Sequence, residues 1–77
     1  MILKIKSFNF LNGYNIEIVF NNNEVRVVDL SDELYGEVFE PLKDLQFFHR
    51  ASLTEWNVIQ WPNGADFAPE YLYEISK

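Results

Sequence analysis

The chain contains no cysteine. That absence excludes disulfide staples, a thiolate metal site and a cysteine nucleophile. Histidine occurs once, at His49. A metal centre needs several converging ligands, and one imidazole among scattered carboxylates does not supply them. Ser7, Ser31, Ser52 and Ser76 sit in no nucleophile-elbow motif, so His49 has no nucleophile to activate and reads as a surface or boundary residue. The three glycines, Gly13, Gly36 and Gly64, are isolated, which excludes a glycine-rich phosphate loop. Basic residues are scarce too, with six Lys and Arg against twelve Asp and Glu, a net charge of -6. Direct binding to nucleic-acid phosphates needs a basic face, which this balance does not provide. No apolar run approaches the roughly 20 residues of a membrane-spanning helix. The alternating start, Met1-Ile2-Leu3-Lys4-Ile5-Lys6, lacks the separate charged and apolar regions of a signal peptide. The expectation is a soluble, cytoplasmic protein that is not an enzyme and has no catalytic residues, metal or cofactor.

What the chain has in abundance is aromatic rings: seven Phe, four Tyr and two Trp in 77 residues. A chain of this length forms one domain, residues 1–77, with a small core. Each large ring buries about 150–250 Å², so a few of them supply what disulfides supply in other small proteins.

Residues 3–11 read as a first strand. Leu3 and Ile5 share one parity and Phe8 and Phe10 the other, so a bulge or twist is expected near Ser7. Asn12-Gly13 predicts a type I′ hairpin turn. Tyr14, Ile16, Ile18 and Phe20 alternate with Asn15, Glu17 and Asn21 in a half-buried second strand. Asn21-Asn22-Asn23 is a second turn, and residues 24–30 are a Val-rich third strand. Ser31 is positioned to cap a short helix over residues 32–35, stopped by Gly36. Val38 and Phe39 anchor the connection, Pro41 opens another helical turn, and Asp44 caps a short helix through Arg50. Residues 51–55 and 57–61 suggest two more strands with a tight turn near Trp56. Pro62-Asn63-Gly64 ends the last of them. Asp66 then precedes a helix with Pro69 in its first turn and Phe67, Ala68, Tyr71, Leu72 and Ile75 on its buried face. The expected fold is α+β: a small antiparallel sheet of four or five strands, with short helices and a C-terminal helix packed on one face. Exposed sheet edges leave a homodimer open.

Three stretches together resemble a known bacterial family. They are residues 14–30 (Tyr14-Asn15-Ile16-Glu17-Ile18-Val19-Phe20, then Val25-Arg26-Val27-Val28-Asp29-Leu30), residues 36–44 with Phe47 after them, and Trp61-Pro62-Asn63-Gly64-Ala65-Asp66-Phe67-Ala68-Pro69-Glu70 leading into Leu72-Tyr73-Glu74. The pattern resembles the family called domain of unknown function 2442, over nearly the whole chain. One departure is Thr54-Glu55-Trp56-Asn57, where an acidic, glycine-containing turn is the family pattern. The resemblance implies a small α+β domain. Some relatives carry an additional helix-turn-helix domain, for which a chain ending at Lys77 has no room, so DNA binding is not carried over. Short relatives look like one member of a two-gene pair beside a small toxin-like protein, which implies an antitoxin-like or accessory role.

Two surfaces stand out as candidate sites. Residues 29–44 carry six acids against Lys43, interleaved with Leu34, Tyr35, Val38 and Phe39. Asp32, Glu33, Tyr35, Glu37 and Glu40 are the candidate interface, an acidic rim around an apolar centre suited to a small basic protein partner. The plainer reading is helix capping and core anchoring. The second surface is the corner around Trp61, Asn63, Asp66 and Glu70, a candidate pocket for a small ligand. Its plainer reading is structural: Trp61 fills the core, Pro62 ends a strand, Gly64 supplies an unusual backbone angle and Asp66 caps the helix. Asp66, Glu70 and Glu74 recur every four residues and would form a stripe on a helix that began early enough.

Overall fold

The computed structural model describes residues 2–77. At its centre lies strand β2 (Asn15–Phe20), flanked antiparallel by β1 (Ile5–Phe10) and β3 (Val25–Asp29). Ile16, Ile18 and Phe20 alternate along β2 and are fully buried, so one side of the meander is the floor of the core. The expected irregularity is present: Ile5 pairs with Phe20 and Ser7 with Val19, so the extra residue Lys6 bulges. That bulge brings Ile5, Phe8 and Phe10 onto the same face despite their different parity.

Turn chemistry differs in detail from expectation. At the first hairpin only Gly13 has positive φ, 60°. The Asn15 N–H donates to the Asn12 carbonyl, and the type I′ pair is not formed. At the second hairpin the Asn23 N–H donates to the Phe20 carbonyl, and Asn23 itself is left-handed at φ 70°. This is a three-residue connection closed by an asparagine that tolerates that region.

No helix forms over residues 32–35. The Asp29 carboxylate, not Ser31, accepts the local N–H, from Ser31 at 2.9 Å. The Glu33 N–H returns to the Leu30 carbonyl at 2.9 Å. A single turn suffices to bury both Leu30 and Leu34. Pro41 lies in a 3-10 turn, Glu40–Lys43. Asp44 caps helix α1 (Leu45–Phe48) by accepting the Gln46 N–H at 3.0 Å. The helix ends before Arg50.

β4 (Ser52–Leu53) and β5 (Ile59–Gln60) pair as a separate two-stranded ladder rather than extending the meander. Asn57, left-handed at φ 62°, turns this hairpin and links it to β1: its side-chain amide donates to the Ile5 carbonyl at 3.2 Å. The five strands thus form two sheets where a single one was expected.

Helix α2 (Pro69–Ile75) starts two residues later than a cap at Asp66 would place it. Ala68 is the N-cap residue and makes no side-chain cap bond. Asp66 instead bridges to Gln60 in extended conformation, so it neither caps the helix nor joins a stripe with Glu70 and Glu74. Pro69 occupies the first helical position, as its fixed φ favours. Leu72 is buried, while Ala68 and Tyr71 are exposed. The helix is tied to β3 through Arg26, whose guanidinium lies 4.1 Å from the centroid of the Tyr73 ring and 3.0 Å from the Glu24 carboxylate. Val27 and Lys77 exchange backbone hydrogen bonds of 3.3 and 3.0 Å and occupy part of the β3 edge. Among the described residues no helix is long and apolar enough to cross a membrane.

Candidate functional site

Two parts of the chain far apart in sequence close around one aromatic groove. The connection after β3 supplies one wall. Leu30 and Leu34 point into the core, and this leaves Glu33 half-exposed and Tyr35 68% exposed. Gly36, at φ 90°, reverses the backbone, and its carbonyl accepts the N–H groups of Phe39 and Glu40 at 3.1 and 2.9 Å. Few residues other than glycine adopt that φ cheaply. The reversal turns the Phe39 ring inward, where it stacks on Phe67 with centroids 4.7 Å apart.

The corner between β5 and α2 supplies the other wall. Asn63 clamps the two walls together: its side-chain amide donates to the Val38 carbonyl at 2.9 Å, and its oxygen accepts the Ala65 N–H at 3.1 Å. Phe67, just before the helix, and Tyr71, in its first turn, lie nearly parallel at 11° with centroids 6.2 Å apart. The Tyr71 hydroxyl donates to the Glu33 carboxylate across the groove. That bond to Glu33, reinforced by partial burial and by the Glu33 charge, pushes the Tyr71 phenol up to about 12.

The resulting groove has a volume of about 450 Å³. Phe39, Phe67 and Tyr71 make its apolar wall, and Tyr35, Glu33 and Asp66 line it beside them. Asp66 also borders a second hollow of about 320 Å³, which is lined by Glu55 and by Trp56, itself 75% exposed. No lysine or arginine lines either hollow. Among the described residues the ion pairs are Arg26–Glu24 and Lys43–Glu40, so Glu33, Glu55 and Asp66 have no cationic partner among those residues.

The two sequence-derived candidates are therefore partly merged and partly dispersed. Glu33 and Tyr35 from the first and Asp66 from the second meet in the groove. Asp32 and Glu37 are exposed outside its lining, and Glu40 pairs with Lys43 at 3.5 Å. Trp61 is buried at 2% exposure, with its indole N–H donating to the Phe48 carbonyl at 2.8 Å, so it holds the corner from within and offers no indole face to a ligand. Asn63 is committed to the clamp, and Glu70 stands on the open side of α2. Sequence reasoning assigned Tyr71 to the buried helix face and did not place Phe67 or Tyr71 in a site. Their spacing of four is the same signal that core residues give.

The stretches that carry the family pattern supply the hairpin floor, the Gly36–Phe39 reversal and the corner leading into α2, while Glu33 and Tyr35 lie between the first two of them. No curated protein and no solved structure matched the chain. The family model described as "Protein of unknown function (DUF2442)" matches residues 5–77, and the chain belongs to that family.

Proposed function

We propose that the chain is a protein-interaction module, not an enzyme, and that it docks a basic partner protein on the groove between the 29–44 connection and α2. The observation that carries this reading is an aromatic wall edged by Glu33 and Asp66, with no basic residue lining it. Interfaces combine an apolar centre with a polar rim, and tyrosine is favoured as an energetic anchor. The net charge of -6 favours encounter with a positive surface. The mode of action is occlusion, with the module covering the partner's basic surface. This is the chemistry that an antitoxin-like or accessory member of a two-gene pair requires.

A tagged capture from the native host, at low and at moderate salt, tests this. Wild-type protein should retain one basic protein, less of it as salt rises, and a folded Tyr35→Ala variant should lose it. If wild type and variant retain the same proteins, the groove is not the docking surface. A second reading draws on the groove volume of about 450 Å³, which lies in the range of small-molecule sites. A ligand that fits would raise the melting temperature of wild type and not of the Tyr35 variant.

A further inference from the structure

Helix α2 presents two tyrosines that do the same thing with different completeness. Tyr73 donates its hydroxyl to the Glu24 carboxylate, and Arg26 finishes the cluster. The Arg26 guanidinium lies 4.1 Å over the Tyr73 ring, donates to the Tyr73 hydroxyl at 3.1 Å and pairs with Glu24 at 3.0 Å. Tyr71, two residues earlier, donates its hydroxyl to the Glu33 carboxylate in the same way. Here no guanidinium follows. Beside the Tyr71–Glu33 pair are the groove, the Phe39 and Phe67 rings, and a second unpaired carboxylate at Asp66.

Building on the reading of this groove as a docking site, we propose that it receives an arginine side chain of the partner protein, which completes at Tyr71–Glu33 the cluster that Arg26 completes at Tyr73–Glu24. The chemistry selects arginine over lysine. A guanidinium is planar, stacks on aromatic faces and forks to carboxylate oxygens, whereas an ammonium is a compact, strongly hydrated point charge. Tyr71, 38% exposed, offers ring surface on which a flat group can stack, backed by the buried Phe67 ring. Glu33 and Asp66 offer two carboxylates to its donors. The Tyr71 hydroxyl, already committed to Glu33, holds that carboxylate in place before the cation arrives.

The test uses the full chain, labelled with nitrogen-15, and three acetylated, amidated pentapeptides differing only at their central residue: arginine, lysine or citrulline. Citrulline keeps the planar shape without the charge. Amide shifts are followed by NMR up to millimolar peptide, which detects weak binding. The arginine peptide should move the amides of Glu33, Tyr35 and Tyr71 saturably, and should bind about tenfold or more tighter than the citrulline peptide. It should also bind several-fold tighter than the lysine peptide. Glu33→Gln, a surface change, should remove most of the arginine preference, and Tyr71→Phe, which keeps the ring, should weaken binding several-fold. Equal binding of arginine and citrulline, equal binding of arginine and lysine, or shifts that bypass the groove would each overturn the proposal. The capture experiment is separate: a basic partner lost in the Tyr35 variant, together with no arginine preference, leaves the docking surface standing and removes the arginine. Failure of both removes the docking surface as well.

Discussion

The indole N–H of Trp61 donates to the backbone carbonyl of Phe48 at 2.8 Å, and this buried bond joins the corner before α2 to the last turn of α1. Trp61 also packs against Phe48 and Phe67, with centroids 5.6 and 5.9 Å away. A ring that fills the core and satisfies a buried carbonyl is costly to replace twice over.

Trp61→Phe retains a ring but leaves the Phe48 carbonyl without its donor, which costs about 1–3 kcal/mol. Trp61→Ala opens a cavity and costs about 3–5 kcal/mol. A 77-residue domain has a total stability of about 4–12 kcal/mol. The alanine variant is therefore expected to be partly or wholly unfolded, and the phenylalanine variant folded with a lower urea midpoint by far-ultraviolet circular dichroism. An unshifted midpoint in the phenylalanine variant would show that the bond contributes nothing net.

The Tyr71–Glu33 bond makes a prediction in base. It forms only while the phenol is protonated, and it raises the Tyr71 pKa from 10.0 to about 12. The stability it provides is complete below the unfolded value near 10 and is lost as pH rises through the folded value near 12. The melting temperature of wild type should fall more steeply across that window than that of Tyr71→Phe. Parallel curves would mean that the hydroxyl is not engaged in solution.

How much of this was legible in the sequence depended on the range of the interactions. The meander was legible because Ile16, Ile18 and Phe20 alternate locally, and even the bulge was visible in the parity change between Ile5 and Phe8. Asp44 was legible as a cap because the N–H it accepts is two residues away. The helix expected at residues 32–35 was not formed because the Leu30 carbonyl takes the Glu33 N–H that a Ser31 cap would accept, and Gly36 then reverses the backbone. Asp66 misled for a similar reason. Pro69 fixes the helix start, which leaves Asp66 three residues upstream and free to bridge to Gln60. The groove was the least legible part. Its defining bond, Tyr71 to Glu33, spans 38 residues, and no local pattern announces it.

Asn57 tests the backbone at the hairpin that links to β1. Its φ of 62° lies in the left-handed region, and its N–H donates to the Thr54 carbonyl at 2.9 Å. Glycine adopts that φ freely, whereas alanine there costs about 1–2 kcal/mol. Both substitutions lose the side-chain bond to the Ile5 carbonyl. Asn57→Ala should therefore be less stable than Asn57→Gly by about 1 kcal/mol in urea titrations. Equal stabilities would imply that the turn relaxes to a negative φ when the asparagine is removed.

The saturated cluster at Tyr73 makes a prediction in acid that bears on the unsaturated one at Tyr71. The Tyr73 hydroxyl, and after it the Arg26 guanidinium, hold the Glu24 carboxyl below its ordinary value of 4.5. A carboxylate depressed in the folded state stabilises above its unfolded pKa, and that contribution disappears as pH falls through the folded value. Glu24→Gln should thus lower the melting temperature at neutral pH, and the deficit relative to wild type should shrink steadily as pH drops below 4.5. Acid sensitivity will not vanish in the variant, because the Ser31 N–H also holds Asp29 below its usual range. A deficit that stayed constant from neutral to acid pH would mean that the carboxylate charge is idle in this cluster. It would also remove the internal precedent for a tyrosine-anchored glutamate that binds a guanidinium, and with it the main reason for expecting arginine at Glu33.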